Sequence, residues 1–172
     1  RARQRRAEEV GRVRKKLQAG LRFFTTQVLL DSNEVIRLIH SLSGMQVRIV
    51  LSFTPISHPR DLKFLEWLGV VPPADVTTQI GQAGSAEKAV EVSLTLAQRI
   101  LSDVFEQLPR NPPALGLQVE RITKRNAAAG RRMLAELGEE YRDLMQRRYA
   151  AASPNAEKSG PRTSAAQAPR VR

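Results

Sequence analysis

Three short apolar segments constrain the fold of this chain most strongly. They are LRFFTTQVLL at residues 21–30, VRIVLSF at 47–53 and ALGLQVE at 114–120. None of them alternates regularly between apolar and polar residues, which is typical of strands buried in a parallel sheet. Amphipathic segments separate them. This alternation predicts an α/β fold whose parallel sheet is covered on both faces.

Apolar spacing and capping residues predict the helices. Gly20 and Gly69 are expected to end helices, and Ser85 is expected to cap the longest one. The predicted helical ranges are 3–20, 31–42, 60–69, 86–108 and 123–149, with one short helical piece inside 70–83. Residues 1–152 therefore form the predicted folded part. Residues 153–172 lack periodicity and predict a disordered basic tail rich in Ala, Ser, Pro and Arg.

The net charge of +11 suggests a nucleic-acid partner, but its distribution argues against one. Residues 1–16 carry eight basic and two acidic groups, and residues 147–172 carry six basic and one acidic group. The 130 residues between them carry 14 of each sign. Aromatic residues make up only 5% of the chain, few for stacking on bases. The sequence indicates a neutral globular body with basic flanks.

Missing residue types exclude several kinds of site. The chain has no cysteine, so disulfides, zinc–thiolate sites and cysteine nucleophiles are ruled out, and a reducing cytoplasmic location is expected. Its two histidines do not have metal-ligand spacing, and no apolar run approaches the about 18 residues of a membrane span. No glycine fingerprint or phosphate loop follows a strand. A segment of a (β/α) barrel is therefore favoured over a doubly wound nucleotide-binding fold.

Three blocks of sequence carry a resemblance to a known family. KKLQAGLRFFTTQVLLD, IVLSFTPISHPRDLKFLEWLGVVPP and LGLQVERITKRNAAA, in this order, resemble the methylenetetrahydrofolate reductase family. The resemblance runs from about Glu8 to Leu144. It implies the C-terminal portion of a (β/α)8 TIM-type barrel that holds FAD. It also implies NADH- or NADPH-dependent reduction of methylenetetrahydrofolate to methyltetrahydrofolate.

About three predicted strands cannot close such a barrel, which takes roughly 200 residues or more. We therefore expect a fragment, one half of a split protein or a shortened descendant. The missing strands would come from an N-terminal barrel half or from a second copy in a homo-oligomer. The family's catalytic acid lies on a strand outside this chain, so no catalytic residue is predicted.

Four residues are predicted to bind the folate. Gln27 lies near a strand end, where an amide offers both a donor and an acceptor, and the family's matching glutamine contacts folate. The alternative is that Gln27 satisfies loop backbone. Thr54 follows the second strand. Asp61 aligns with a folate contact of some members, but equally suits a helix N-terminus. Glu120 ends the third strand, where it could bind a ligand amine or pair with a neighbouring cation.

Three cations before the first strand are predicted to bind FAD. The family's corresponding segment contacts the cofactor, and Lys16 matches a lysine there; Arg12 and Lys15 lie on the same helix. Cations suit pyrophosphate oxygens, whereas the alternative is a solvated basic face. Trp67 is interpreted as core packing. Two other functions stay open: a non-catalytic protein that binds RNA or a protein partner, and a degenerate remnant of the reductase.

Overall fold

The computed structural model describes residues 11–152, so the predictions for residues 1–10 and for the disordered tail lie outside this range. A helix, α1, covers residues 11–18. The remaining elements follow in chain order: β1 Phe23–Val28, α2 Ser32–Ser41, β2 Arg48–Phe53, α3 Pro59–Trp67, α4 Ala74–Gln82, α5 Ala86–Glu106, β3 Ala114–Val119 and α6 Ala127–Ala152. The predicted order is confirmed, and α4 is the short helical piece expected between residues 70 and 83.

The three strands form a parallel sheet in the order β1-β2-β3, with β2 in the centre. The strands follow one another in chain order, and crossovers between parallel strands have a single preferred hand. The connecting helices are therefore expected on the same side of the sheet. Burial agrees with this arrangement, because Ile49, Leu51 and Phe53 of β2 are at most 1% exposed.

The opposite side of the sheet is exposed at the amino ends of its strands, so the prediction that both faces are covered was wrong for that part. We call this side the open face. Phe23 of β1 is 60% exposed there, and Arg48 and Ala114, which pair in register with it, are also exposed. A helical layer on this side would require a further parallel strand added next to β1, at the opposite edge from β3. Residues 11–152 contain no such strand. The α/β class and the parallel sheet are confirmed, whereas a barrel is not closed by these strands.

Helix α5 is the centre of the core. It packs against α2, α4 and α6, and Ile100, Leu101 and Val104 on its inner side are at most 1% exposed. The predicted cap is present, because the Ser85 side chain accepts a hydrogen bond from the Lys88 amide at 3.2 Å. Within residues 11–152, no helix has both the length and the apolar character to span a bilayer.

Candidate functional site at the carboxyl edge of the sheet

The carboxyl ends of the parallel strands meet at one edge of the sheet, which is where ligands bind in open and closed α/β sheets. Two of the predicted residues, Thr54 and Glu120, lie together at this edge. The Glu120 amide donates to the carbonyl of Phe53 at 2.9 Å, and Thr54 Oγ1 donates to the carbonyl of Glu120 at 3.1 Å. Thr54 is only 7% exposed, so its hydroxyl is committed to this contact.

A chain of polar contacts crosses all three strands below this edge, and we call it the polar chain. Ser52 of β2 donates from Oγ to the carbonyl of Thr26 at 2.8 Å, and its amide donates to Thr26 Oγ1 at 3.0 Å. Gln118 of β3 donates from Nε2 to Ser52 Oγ at 2.7 Å and to Glu120 Oε2 at 3.4 Å. Ser52 is 0% exposed. The network thus extends from the first strand to the Glu120 carboxylate.

The position of Gln27 depends on an irregularity in β1. Thr25 pairs with Val50 and Val28 pairs with Ser52, so β1 holds one extra residue between these pairs. Such bulges re-aim side chains. Gln27 donates from Nε2 to the carbonyl of Leu68 at 3.2 Å. It therefore satisfies backbone at the end of α3, as the alternative interpretation expected. This bond uses the amide nitrogen, so the contact with folate stays a prediction.

Helix α3 contacts residues near the carboxyl ends of both outer strands. Gln27 binds the carbonyl of its C-cap residue Leu68, while the guanidinium of Arg121, just after β3, lies 3.6 Å from the centre of the Phe64 ring. The Phe64 and Trp67 rings are 5.6 Å apart. Trp67 is 78% exposed, so its interpretation as core packing was wrong. Leu62 and Leu65 occupy the buried side of the helix, and Trp67 falls on the opposite one.

Asp61 has a defined structural role at the start of α3. Its Oδ2 accepts hydrogen bonds from the Ser57 amide at 2.9 Å, the Ser57 hydroxyl at 3.2 Å and the His58 amide at 3.0 Å. Together with the His58 ring it forms a capping box. The helix-terminus interpretation of Asp61 is thus observed. A folate contact of this residue remains a prediction.

The sequence left two interpretations of Glu120 open, a bond to a ligand amine and an ion pair with a neighbouring cation. Among the described residues, no ion pair joins Glu120 to Arg121 or Lys124. Arg121 instead covers Phe64, and it does so with a positive φ of 60°, which is uncommon for a residue with a side chain. The carboxylate of Glu120 has its side-chain contact with Gln118.

A cleft of about 1180 Å³ runs beside β1, between that strand, α2 and the turn after α3. Gln27, Arg14 of α1 and Val70 are among its lining residues. Of the three predicted FAD ligands, Lys16 places its Nζ 5.9 Å from the centre of the Phe24 ring, and Arg12 and Lys15 are exposed on α1. Gln27 thus lines the cleft together with Arg14, whereas Arg12, Lys15 and Lys16 do not line it, and Thr54 and Glu120 lie at the ends of β2 and β3.

Within residues 11–152, the pKa shifts occur on α5 and α6, away from the edge. Burial raises the pKa of Glu140 and of Tyr141. A hydrogen bond from Arg132 lowers the pKa of Glu91. These two helices are joined by the ion pair between Arg132 and Glu91, so the shifts belong to helix packing and not to the candidate site.

Sequence reasoning missed Thr26, Ser52 and Gln118, although a signal was present for two of them. Ser52 lies two residues before Thr54, and Gln118 lies two residues before Glu120; each is a polar residue in a mostly apolar strand. Thr54 and Glu120 were among the residues predicted to bind folate. Residues two apart in a strand share a face. A polar side chain at that spacing is therefore expected beside the chosen residue. The positive φ of Arg121 has no comparable signal in the sequence.

Comparison with known proteins yields a likeness of fold. No family model and no curated protein matches the sequence. A solved structure of an uncharacterized protein from Clostridium thermocellum, which binds two copies of 5-methyl-5,6,7,8-tetrahydrofolic acid, is similar with a TM-score of 0.55 and 17% sequence identity. The similarity covers 80% of this chain and 50% of that protein. The chain therefore spans about half the length of this neighbour and shares its fold over that part.

Replacing Asp61 tests whether the capping box matters for the fold. We expect Asp61→Ala to lower the free energy of unfolding by about 1 kcal/mol, since the start of α3 loses the acceptor of three hydrogen bonds. Urea denaturation followed by circular dichroism measures this change. Glu66→Ala, on the exposed side of the same helix, is the control and should stay within about 0.5 kcal/mol of the parent. Equal stability of Asp61→Ala and the parent would contradict the capping role.

Proposed function

We propose that this chain binds a reduced folate at the carboxyl edge of its sheet, as the C-terminal portion of a barrel of the methylenetetrahydrofolate reductase type. The observation that carries this proposal is the fold shared with a protein that binds 5-methyltetrahydrofolate. Two further features support it. The carboxyl edge is the ligand-binding side of such sheets, and two of the four predicted folate residues, Gln27 and Glu120, present polar side chains near it.

The chemistry of the edge suits a pterin ring. A pterin presents amine and amide donors next to ring acceptors, so its recognition needs both kinds of protein group. Gln27 offers an amide, and the carboxylate of Glu120 offers acceptors only. Trp67 and Phe64 add exposed aromatic surface on α3, beside these polar groups. This combination of few polar groups with aromatic surface is typical of small-molecule sites.

The proposal extends to a flavin-dependent reductase when the remaining barrel strands are present. Arg12, Lys15 and Lys16 suit the diphosphate of FAD, because they are exposed cations on α1, the helix whose Arg14 lines the cleft. They would hold that group, and bound FAD would supply hydride transfer from NADH or NADPH. The isoalloxazine ring and the proton donor would depend on strands beyond this chain. We therefore expect folate binding, without turnover, from the chain alone.

Isothermal titration of the purified chain with 5-methyltetrahydrofolate tests the central proposal. We expect saturable binding, because hydrogen bonds within the sheet hold the polar groups of the edge in position. The control ligand is p-aminobenzoylglutamate, which has the tail of the folate but lacks the pterin, and it should bind much more weakly. A chain that is folded by circular dichroism but takes up no 5-methyltetrahydrofolate would refute the proposal.

Gln27→Ala tests the predicted pterin contact. Loss of one neutral hydrogen bond should weaken 5-methyltetrahydrofolate binding about 3- to 10-fold in the same titration. Gln79→Ala, an exposed glutamine of α4, is the matched control and should bind as the parent does. Because Gln27 also holds Leu68, the stability of both variants has to be measured alongside. Unchanged affinity in a folded Gln27→Ala variant would remove Gln27 from the site.

Lys16→Ala tests whether this cation contributes to FAD binding. The variant is measured in a barrel completed with an N-terminal half. Removing the cation should lower flavin retention after gel filtration, read from the absorption of bound flavin, because one charged contact to the diphosphate is lost. Lys63→Ala on α3 removes a cation outside the basic helix and serves as the control. Equal flavin content in the two variants would leave the basic helix as a solvated surface.

A further inference from the structure

The direction of each hydrogen bond in the polar chain is fixed by its buried serine. Ser52 Oγ carries a single hydrogen and donates it to the carbonyl of Thr26. Toward Gln118 the same oxygen can therefore only accept. Gln118 must turn its NH₂ group, and not its carbonyl, to Ser52. Ser52 is fully buried, so water does not compete for this contact.

This orientation determines what Glu120 meets. The Gln118 amide nitrogen has two hydrogens, one for Ser52 Oγ at 2.7 Å and one directed to Glu120 Oε2 at 3.4 Å. A carbonyl in the same place would repel the carboxylate. The main chain of Glu120 is held as well, through its amide to Phe53 and its carbonyl to Thr54. The backbone of Glu120 is thus anchored by the neighbouring strand β2, and its side chain contacts Gln118 of its own strand.

Glu120 differs in charge from the other residues that β2 and β3 place on the open face. Alternation along β2 and β3 brings eight positions to that side, the residues 48, 50, 52, 54, 114, 116, 118 and 120, and Glu120 is the one carboxylate among them. Below it the face is formed by the short side chain of Val50 and by Gly116, which has no side chain. A ligand ring lying against this floor would meet the acceptor oxygens of Glu120 at its rim.

We propose that Ser52 and Gln118 are positioning residues that hold the Glu120 carboxylate on the open face, where it accepts the neighbouring N3–H and 2-amino groups of a pterin. This inference rests on the proposed function and names the part of the folate that the site recognises. Two adjacent N–H donors match the two oxygens of a carboxylate, and such paired, charge-assisted bonds are stronger than neutral ones.

Titration of the full chain with 5-methyltetrahydrofolate and with its 2-desamino-2-methyl analogue tests this assignment. Glu120→Gln should weaken binding of 5-methyltetrahydrofolate about 10- to 100-fold, the usual effect of losing a hydrogen bond to a charged group. The analogue lacks the 2-amino donor, so its affinity should change far less in this variant. Glu66→Gln, an exposed carboxylate of α3, is the matched control and should bind both ligands as the parent does.

The positioning role is separated from a merely structural one by a double-mutant cycle. Gln118→Leu should weaken binding of 5-methyltetrahydrofolate several-fold, and Gln118→Leu combined with Glu120→Gln should lose no more than Glu120→Gln alone, because Gln118 acts through Glu120. Ser52→Ala is a second, smaller variant that removes the hydroxyl orienting the amide. It should reproduce the Gln118→Leu loss, with urea denaturation confirming that each variant is folded.

The outcomes distinguish this inference from the function on which it rests. Parent-like affinity of Glu120→Gln, losses that multiply in the double variant, or equal losses for both ligands would overturn the inference and leave folate binding standing. No binding of 5-methyltetrahydrofolate to the parent chain would overturn both. Coupled losses confined to the ligand with the 2-amino group would support the assignment.

Discussion

Hydrogen bonding of β2 on both of its edges is the constraint on which the rest of the structure depends. Both neighbours are parallel to it, and the register with β3 is continuous from Arg48 to Phe53. Since side chains alternate along the strand, this pairing assigns Ile49, Leu51 and Phe53 to the helical layer and leaves Val50 and Ser52 on the other side. The pairing of β2 therefore separates a side that packs against the helices from a side that carries the polar chain.

The same strand explains why the polar chain is possible. A serine on a strand between two partners has a neighbour on each side, here Thr26 in β1 and its register partner Gln118 in β3. Its hydroxyl can therefore donate to one and accept from the other. On an edge strand it would have one partner and solvent. Burial of Ser52 is tolerated because both of its side-chain bonds are made, whereas a buried hydroxyl without partners would be destabilising.

Local patterns predicted the elements well, and non-local geometry accounts for the errors. The Ser85 cap of α5 is a signal contained in a few neighbouring residues, and it was correct. The uncovered face of the sheet depends on the direction in which successive strands are added, which no single segment encodes. Trp67 was predicted to pack in the core. The buried side of that short helix is instead formed by Leu62 and Leu65, and Trp67 lies on the exposed side.

Site residues follow the same distinction. Thr54 and Glu120 could be chosen from their places at strand ends, and the structure brings them into contact. The bond from Gln27 to Leu68 joins residues 41 positions apart and depends on a bulge, so the strand alone could not reveal it. Asp61 shows the converse case, because its partners lie within four residues and its capping role follows directly from the local sequence.

Helix α3 links the two parts of the candidate site mechanically. Gln27 holds one end of it from β1, and Arg121 covers its middle from the end of β3. Arg121 adopts a positive φ to do so, a conformation that costs about 1 kcal/mol or more and persists when surrounding contacts over-determine it. The helix is thus clamped at the cleft beside β1 and at the edge beside Glu120. A ligand that engages Gln27 and a ligand group that engages Glu120 would therefore both act on residues in contact with the same helix.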